Sequence, residues 1–483
     1  MIIETMKVIV ANPPWPGQGY GTRSNVRWPH RRGDKVLTYP IYLAYATAML
    51  KQDGFETWGV DAVDKEWGIS EFVEKVKEYK PAVLFMEVST PSIVYDLETA
   101  QRIKEEVGCL IVFCGPHLNF FHEKTIRDYN FVDIAIRDEF DIKIREICRA
   151  LSDGKSLGTV PGITYREFGR VIVNSSKQFE INLDELPFPD RDDFPIESYI
   201  QGFYCGKRTA MMIQSRGCPA RCTFCIWPQT MTGHQHRRRS AKNVVDEMEY
   251  LKQNYGVDEI FFDDDTFIID KNAGMELLDE MIKRKVNLPW MCMCRVNSVD
   301  EEILAKMKGA GCTQVYYGFE SGSQKILNSI KKGATLEQAL KIVRVTQRIG
   351  MYAAGSFIIG LPDDDMNTIN ETIEFAIKLK ANYVQFVLAE ALPGTEMYDF
   401  VVSNNLLKIN SWSDLDGTHG SMLRTKYLTN KELKGMIRKC YLKYYTAPSV
   451  VFENLRKLRS TNDARKLVRG ASSVISRVLF YKD

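Results

Sequence analysis

The sequence predicts an α/β protein in which a doubly wound (Rossmann-like) N-terminal domain precedes a partial (β/α)6 TIM barrel and a helical C-terminal region. Three observations carry that expectation. Short apolar runs alternate with helix-length amphipathic segments from Lys7 to about Leu151; the alternation resumes from 209 to 395; and a Pro/Asp-rich stretch, INLDELPFPDRDDFP, interrupts it between the two. At 483 residues and 45% hydrophobic content the chain can bury several cores. The expected divisions are 1–155, a hairpin and linker over 156–199, a barrel over 200–400 and the helical region 401–483.

In the first division the strands are expected in KVIVA, FETWGVDA, AVLFMEV, CLIVFCG and VDIAIRD, five runs short enough for a buried parallel sheet. Helices are expected in YPIYLAYATAMLKQDG, ISEFVEKVKEYK, SIVYDLETAQRIKEEVG, FFHEKTIRDYN and IKIREICRAL. Gly54 and Gly108 stand where two of these should end, because glycine takes the left-handed conformation that closes a helix. GITYREFGRVIVN reads as a hairpin. The barrel strands are expected in AMMIQS, EIFFDD, WMCMCRV, QVYYGFES, YAAGSFIIG and YVQFVLAE, and a barrel site lies at the carboxyl ends of its strands.

Composition narrows the function classes. With 64 Lys/Arg against 62 Asp/Glu the net charge is +2, so no global field selects nucleic acid. The N-terminus lacks a basic region followed by an apolar core, and there is no apolar run long enough to span a bilayer, which predicts a cytoplasmic protein. Of 11 cysteines, eight sit in apolar or otherwise unremarkable segments and read as small hydrophobes.

The other three do not. SRGCPARCTFCIWPQ brings Cys218, Cys222 and Cys225 into eight residues, and short spacers let a loop curl so that its thiolates converge on one metal centre. A structural zinc or a closed [4Fe-4S] cluster needs four ligands, and no fourth cysteine lies nearby. Three thiolates on a cubane leave one iron open to a substrate. The alternative at this stage is a zinc site completed by His234 or His236.

The triplet, with Phe224 just before its last cysteine, resembles the defining motif of the radical S-adenosylmethionine superfamily. The resemblance implies a [4Fe-4S] cluster on Cys218, Cys222 and Cys225 whose open iron chelates S-adenosylmethionine and reductively cleaves it to a 5′-deoxyadenosyl radical. EIFFDDDTF then supplies Asp263, Asp264 and Asp265 as acceptors for the ligand's ammonium group, and YYGFESGSQKIL supplies Glu320 and Ser321 at the fourth strand end. GSFIIGLP and ALPGTEMY resemble adenosine-contacting segments, which brings in Gly355, Ile358, Gly360 and Leu392, the glycines as points of close approach. Arg295, Arg237 and Arg239 are candidates for carboxylate or cluster-region contacts.

The first domain resembles the cobalamin-binding domain that precedes one large class of these enzymes. Ser89 and Thr90 after the third strand, and Cys114, Gly115 and Pro116 after the fourth, stand where that class lines a slot for the nucleotide tail. Better-known cobalamin modules carry Asp-x-His-x-x-Gly; here the loop reads DAVDKEWG, so Asp61 is kept and Val63 stands where the ligating His would be. The lower face of cobalt would then lack an imidazole, easing reduction to cob(I). The rival account is a domain that has lost its cofactor and only shapes the pocket. His117 and His122 read as satisfied histidines, not cobalt ligands. The long connection NPPWPGQGYGTRSNVRWPHRRGDKVLT is expected to fold over the cofactor edge with Trp15, Tyr20, Arg23 and Arg27.

The layout implies methylation of an unactivated carbon, with two S-adenosylmethionine molecules per turnover, one methylating cobalamin and one yielding the radical. A ferredoxin or flavodoxin would donate the electron. A protein residue, such as a glutamine of methyl-coenzyme M reductase, is one substrate the resemblance to archaeal members suggests; a lipid or small metabolite are others. Cyclising, ring-contracting or carbon-carbon coupling enzymes share the layout, and a non-catalytic iron-sulfur protein is the alternative outside enzymology. From Lys431 to Asp483 the chain holds 13 Lys/Arg against 4 Asp/Glu, which suits a solvated helical cover on the barrel, or weak docking to a membrane surface or acidic partner.

Overall fold

The computed structural model describes residues 6–23, 27, 29–176, 181–199, 206, 208–417 and 422–456. Its first sheet contains β1 (Lys7–Asn12), β2 (Glu56–Asp61), β3 (Val83–Glu87), β4 (Leu110–Cys114), β5 (Ile134–Ile136), β6 (Ile163–Glu167) and β7 (Arg170–Val173), in spatial order 2-1-3-4-5-6-7. The first five are parallel, and the strand order reverses between β1 and β3. Such a switch point opens a crevice beyond the carboxyl ends of the strands. All five expected strands are present. The hairpin, expected to lie between domains, instead pairs antiparallel with β5, Ile134 facing Tyr165, so the sheet has seven strands. Phe168 (φ 47°) and Gly169 (φ 76°) form its tight two-residue turn, whose twist matches that of the strands it joins.

Gly54 (φ 87°) and Gly108 (φ 75°) follow the helices Ile41–Gln52 and Ile93–Glu106 as expected. The second sheet, β8 (Thr209–Met212), β9 (Glu259–Phe262), β10 (Trp290–Cys294), β11 (Cys312–Glu320), β12 (Tyr352–Ile359) and β13 (Tyr383–Leu388), is parallel in consecutive order, an open six-stranded barrel.

Side chains alternate across these strands, and the alternation positions the site. Met212, Phe262, Trp290, Tyr317 and Phe357 belong to the core under the outer helices. Met211, Phe261 and Met291 point the other way and share a second core with Tyr42, Tyr45 and Phe140 of the first domain and with Trp227. The first domain therefore covers the inner side of the barrel. Arg216 pins the two together: its buried guanidinium donates to Glu139 at 3.0 Å and to Asp141 at 3.1 and 2.7 Å, and lies 5.0 Å from the Tyr42 ring. Helix Asn430–Tyr445 closes the far edge, where the Tyr441, Tyr444 and Tyr445 hydroxyls donate to the carbonyls of Phe386, Ala381 and Val384. Of the basic C-terminal run, residues 457–483 lie outside the described residues. Among the described residues no helix is long and apolar enough to cross a membrane.

Candidate active site

The three cysteines lie on the loop that leaves β8 and ends in the short helix Ile226–Thr230. The loop begins at Gly217 (φ 88°), where an added Cβ would stand 2.2 Å from the Gln235 carbonyl oxygen, so only glycine lets the chain turn there. Gln229 then reaches back, its amide donating to the carbonyls of Cys222 at 3.2 Å and Cys225 at 2.7 Å. The Cys218 amide donates to the Gly233 carbonyl, and the Thr223 amide to that of Ile330. The loop is thus braced through backbone and amide groups, with only long contacts from its thiols to the Thr266 hydroxyl and the Lys331 carbonyl besides Arg295.

Arg295, at the end of β10, donates to Cys222 Sγ at 3.3 Å and to the Lys332 carbonyl. Burial pushes the Cys225 thiol well up, and the neighbouring Asp265, Cys222 and Cys218 push it further, while Arg27 opposes them. His234 bonds the Cys218 carbonyl through Nδ1 at 2.9 Å, and among the described residues no three His, Cys, Asp or Glu side chains are grouped to hold one metal ion.

The three aspartates after β9 separate into distinct roles. Asp263 is paired with Arg27 at 2.6 Å. Asp264 Oδ1 accepts from the Gln214 amide at 3.0 Å, the Ser215 amide at 2.7 Å and the Ser215 hydroxyl at 2.7 Å, which ties β9 to the start of the cysteine loop. Its Oδ2 is buried without a hydrogen-bond partner among the described residues, and burial raises the carboxyl to about 7. Asp265 accepts from Thr232 at 2.9 Å and borders Cys218 and Cys225. Asp264 is mainly a brace; Asp265 is the acceptor that faces the thiols.

Other expected residues are committed elsewhere. An added Cβ on Gly355 would lie 2.2 Å from the Tyr317 carbonyl oxygen and 2.4 Å from the Phe319 ring, so close packing of β11 and β12 requires a glycine here. Gly360 (φ 87°) turns the chain toward Asp364, to which it donates at 2.9 Å. Leu392 is buried in the core between the domains. Arg237 pairs with Glu139, and Arg239 with Glu247 at 2.5 Å, so neither is directed at the thiols. Glu320 (φ 63°) forms a buried pair with Lys332 at 2.7 Å, and Ser321 bonds Thr372 at 3.2 Å. Phe224 and Ile358 meet on one apolar patch with Ile330 and Ala389.

At the first-domain crevice, Asp61 is a frame for its loop: it accepts from Asn12 at 2.8 Å, from the Val63 amide at 2.9 Å and from the Tyr199 hydroxyl at 3.1 Å. Val63 is buried beside it. Ser89 bonds Ser92 at 2.8 Å, and Thr90 bonds His117 Nδ1 at 3.1 Å. His117 stacks on Phe121, and burial lowers it to about 3. His122 bonds Thr164 at 2.7 Å. Cys114 is a buried thiol on the Met86 carbonyl. Gly115 (φ 115°), followed by Pro116, passes so close to β3 that a Cβ would stand 2.3 Å from the Val88 carbonyl oxygen. The Trp15 ring lies 5.2 Å from the Arg23 guanidinium and 5.6 Å from that of Arg31, and its indole Nε1 is buried with no partner among the described residues. Arg23 spends its donors on Asn12, on Pro13 at 2.9 Å, on Ser92 at 3.2 Å and on Asp96 at 2.8 Å, so it holds the connection to the crevice and does not project from it. Tyr20 is half-buried on the ribbon Tyr20–Thr22, paired with His30–Arg32.

Sequence reasoning missed Glu390, just past β13. Its Oε2 is buried without a partner among the described residues, and burial, with Asp416 adding to it, raises the carboxyl to about 8. An acid inside the apolar run VLAEALPG at a strand end was the available signal.

Comparison with known proteins agrees with this geometry. A family model, the radical SAM superfamily, matches residues 212–376. An uncharacterised methyltransferase, PH0819 of Pyrococcus horikoshii, is 31% identical over 455 residues, covering 94% of this chain and 95% of that one. An anaerobic magnesium-protoporphyrin IX monomethyl ester cyclase of Rubrivivax gelatinosus is 26% identical over 402 residues, 81% of this chain and 69% of its own. Among solved structures, the radical S-adenosylmethionine methyltransferase TsrM of Kitasatospora setae, with cobalamin and a [4Fe-4S] cluster bound, superposes with a TM-score of 0.71 at 15% identity, covering 98% of this chain and 99% of that one.

Proposed function

The chain belongs to the radical S-adenosylmethionine superfamily, in the family of the methyltransferase PH0819, and from that membership we propose that it is a cobalamin-dependent methyltransferase acting on an unactivated carbon. The observation that carries the reading is the braced loop that carries three cysteines within eight residues, with Arg295 donating to Cys222 Sγ and Asp265 beside Cys225. That donor set fits a [4Fe-4S] cluster: anionic sulfurs, an adjacent guanidinium to offset their charge, and one corner uncapped. Cys218, Cys222 and Cys225 would hold it. Asp265 would accept from the ammonium group of S-adenosylmethionine, and Phe224 with Ile358 offers an apolar wall beside the same loop.

The crevice of the first domain suits a cobalamin. It lies at the switch point between β1 and β3, carries an orphaned buried donor in Trp15, and offers Val63 where a basic ligand would stand. Ser89, Thr90, Gly115 and Pro116 would line the slot. When bound, the cluster would supply the electron that cleaves the sulfonium of S-adenosylmethionine, and cobalamin would carry a methyl group. The chain's own part is to hold both over one closed space: the first domain covers the inner side of the barrel through a shared apolar core, excluding water from a site where a carbon radical must survive.

The cyclase relative supports a second reading, in which the same cofactors act without methyl transfer. Product analysis separates the two. Incubated anaerobically with cobalamin, reductant and methyl-labelled S-adenosylmethionine, a methyltransferase gives both S-adenosylhomocysteine and 5′-deoxyadenosine. Production of 5′-deoxyadenosine alone would favour the second reading.

A further inference from the structure

The connection after β1 carries two arginines four residues apart, and the fold uses them differently. Arg23 is buried within the first domain, bonded to Asn12, Ser92 and Asp96. Arg27 crosses the domain boundary. Its guanidinium donates to Asp263 Oδ1 at 2.6 Å and to the Asp264 carbonyl at 2.7 Å, and lies 4.8 Å from the ring of Trp227, two residues past Cys225. Burial alone would lower its basicity, but Asp263 and Asp265 outweigh that, so it stays a cation.

We propose that Arg27, contributed by the first domain, is an electrostatic positioning residue of the iron-sulfur pocket and raises the reduction potential of the cluster held by Cys218, Cys222 and Cys225. The inference rests on the cluster reading above. Reduction adds one negative charge to a cluster already carrying three thiolates in a poorly hydrated pocket, and a fixed guanidinium stabilises the reduced form more than the oxidised one. Asp263, its partner, acts with the opposite sign. Arg295 serves Cys222 from the barrel side; Arg27, packed on Trp227 two residues past Cys225, comes from the other domain, so the electron-accepting centre is completed when the domains are together.

The test is an anaerobic potentiometric titration of the reconstituted protein, followed by electron paramagnetic resonance, with iron and sulfide content measured alongside. Arg27→Gln should shift the midpoint down, Arg27→Lys should return it most of the way, and Asp263→Asn should shift it up, all with wild-type iron content. An Arg27→Gln midpoint equal to wild type, an Arg27→Lys midpoint as low as Arg27→Gln, or a downward shift in Asp263→Asn would each overturn the assignment. A general disturbance of the pocket cannot give shifts of opposite sign. Should Arg27→Gln fail to hold iron, Arg27→Lys and Asp263→Asn still decide. Wild-type protein that forms no [4Fe-4S] signal would overturn the cluster reading itself, whereas a normal cluster indifferent to these substitutions would overturn only the role of Arg27.

Discussion

Replacing Arg216 with methionine should cost about 3–5 kcal/mol of stability, the range for removing one partner of a buried ion pair. Arg216 gives Asp141 two bonds, at 3.1 and 2.7 Å, and Glu139 one at 3.0 Å, and all three side chains are buried. Glu139 keeps Arg237 after the substitution. Asp141 does not keep a guanidinium, so the loss is dominated by one uncompensated buried carboxylate. Asp141→Asn alone should cost less, about 1.5–3 kcal/mol, because Arg216 retains Glu139. The double variant Arg216→Met/Asp141→Asn should be about 2 kcal/mol more stable than Arg216→Met, since the orphaned charge is gone. Urea unfolding at neutral pH, read by far-ultraviolet circular dichroism and by tryptophan fluorescence, measures all four proteins. Trp227 shares the core between the domains, so its signal should move with the loss. An Arg216→Met protein within about 1 kcal/mol of wild type, or a double variant no better than Arg216→Met, would refute the reasoning.

Three further outcomes follow from the site. Gly217→Ala forces a Cβ toward the Gln235 carbonyl at a φ of 88°, so it should cost about 1–3 kcal/mol of local strain and lower the iron bound on reconstitution; unchanged iron content would contradict this. Asp264→Asn should reduce thermal stability through the Gln214 and Ser215 bonds, whereas Asp265→Asn should weaken S-adenosylmethionine binding with little change in melting; the reverse pattern by calorimetry would exchange their roles. Glu390 is raised from 4.5 to about 8, so between those values the native state holds a proton that the unfolded chain has released. Its contribution is present at low pH and lost as pH rises toward 8. Glu390→Gln should therefore flatten the decline of stability between about pH 5 and 8, and parallel profiles would contradict the placement.

The strands and helices were legible because their apolar runs are short, bounded by turn residues and spaced as strand-helix units: all eleven expected parallel strands are present. The cysteine loop was legible because its ligands are adjacent in sequence. What was not legible is the identity of distant partners. Nothing in GITYREFGRVIVN states that it will pair with β5, since alternation fixes which face is apolar but not which neighbour covers the edge. Nothing near Gly355 in the sequence states that the Tyr317 carbonyl will lie against it. Arg237 and Arg239 invite a functional reading by position, and only the fold shows Glu139 and Glu247 beside them. Arg27 was legible as a loop candidate, but its destination 236 residues away at Asp263 was not.

The central claim is that three cysteines leave one iron of a cubane free for S-adenosylmethionine. Electron paramagnetic resonance of the reduced, reconstituted protein before and after adding S-adenosylmethionine tests it most directly. The account predicts a [4Fe-4S] spectrum that changes on addition and is lost when Cys218, Cys222 or Cys225 is replaced by alanine. A spectrum indifferent to S-adenosylmethionine, or a cluster that survives loss of any one of the three thiols, would contradict it.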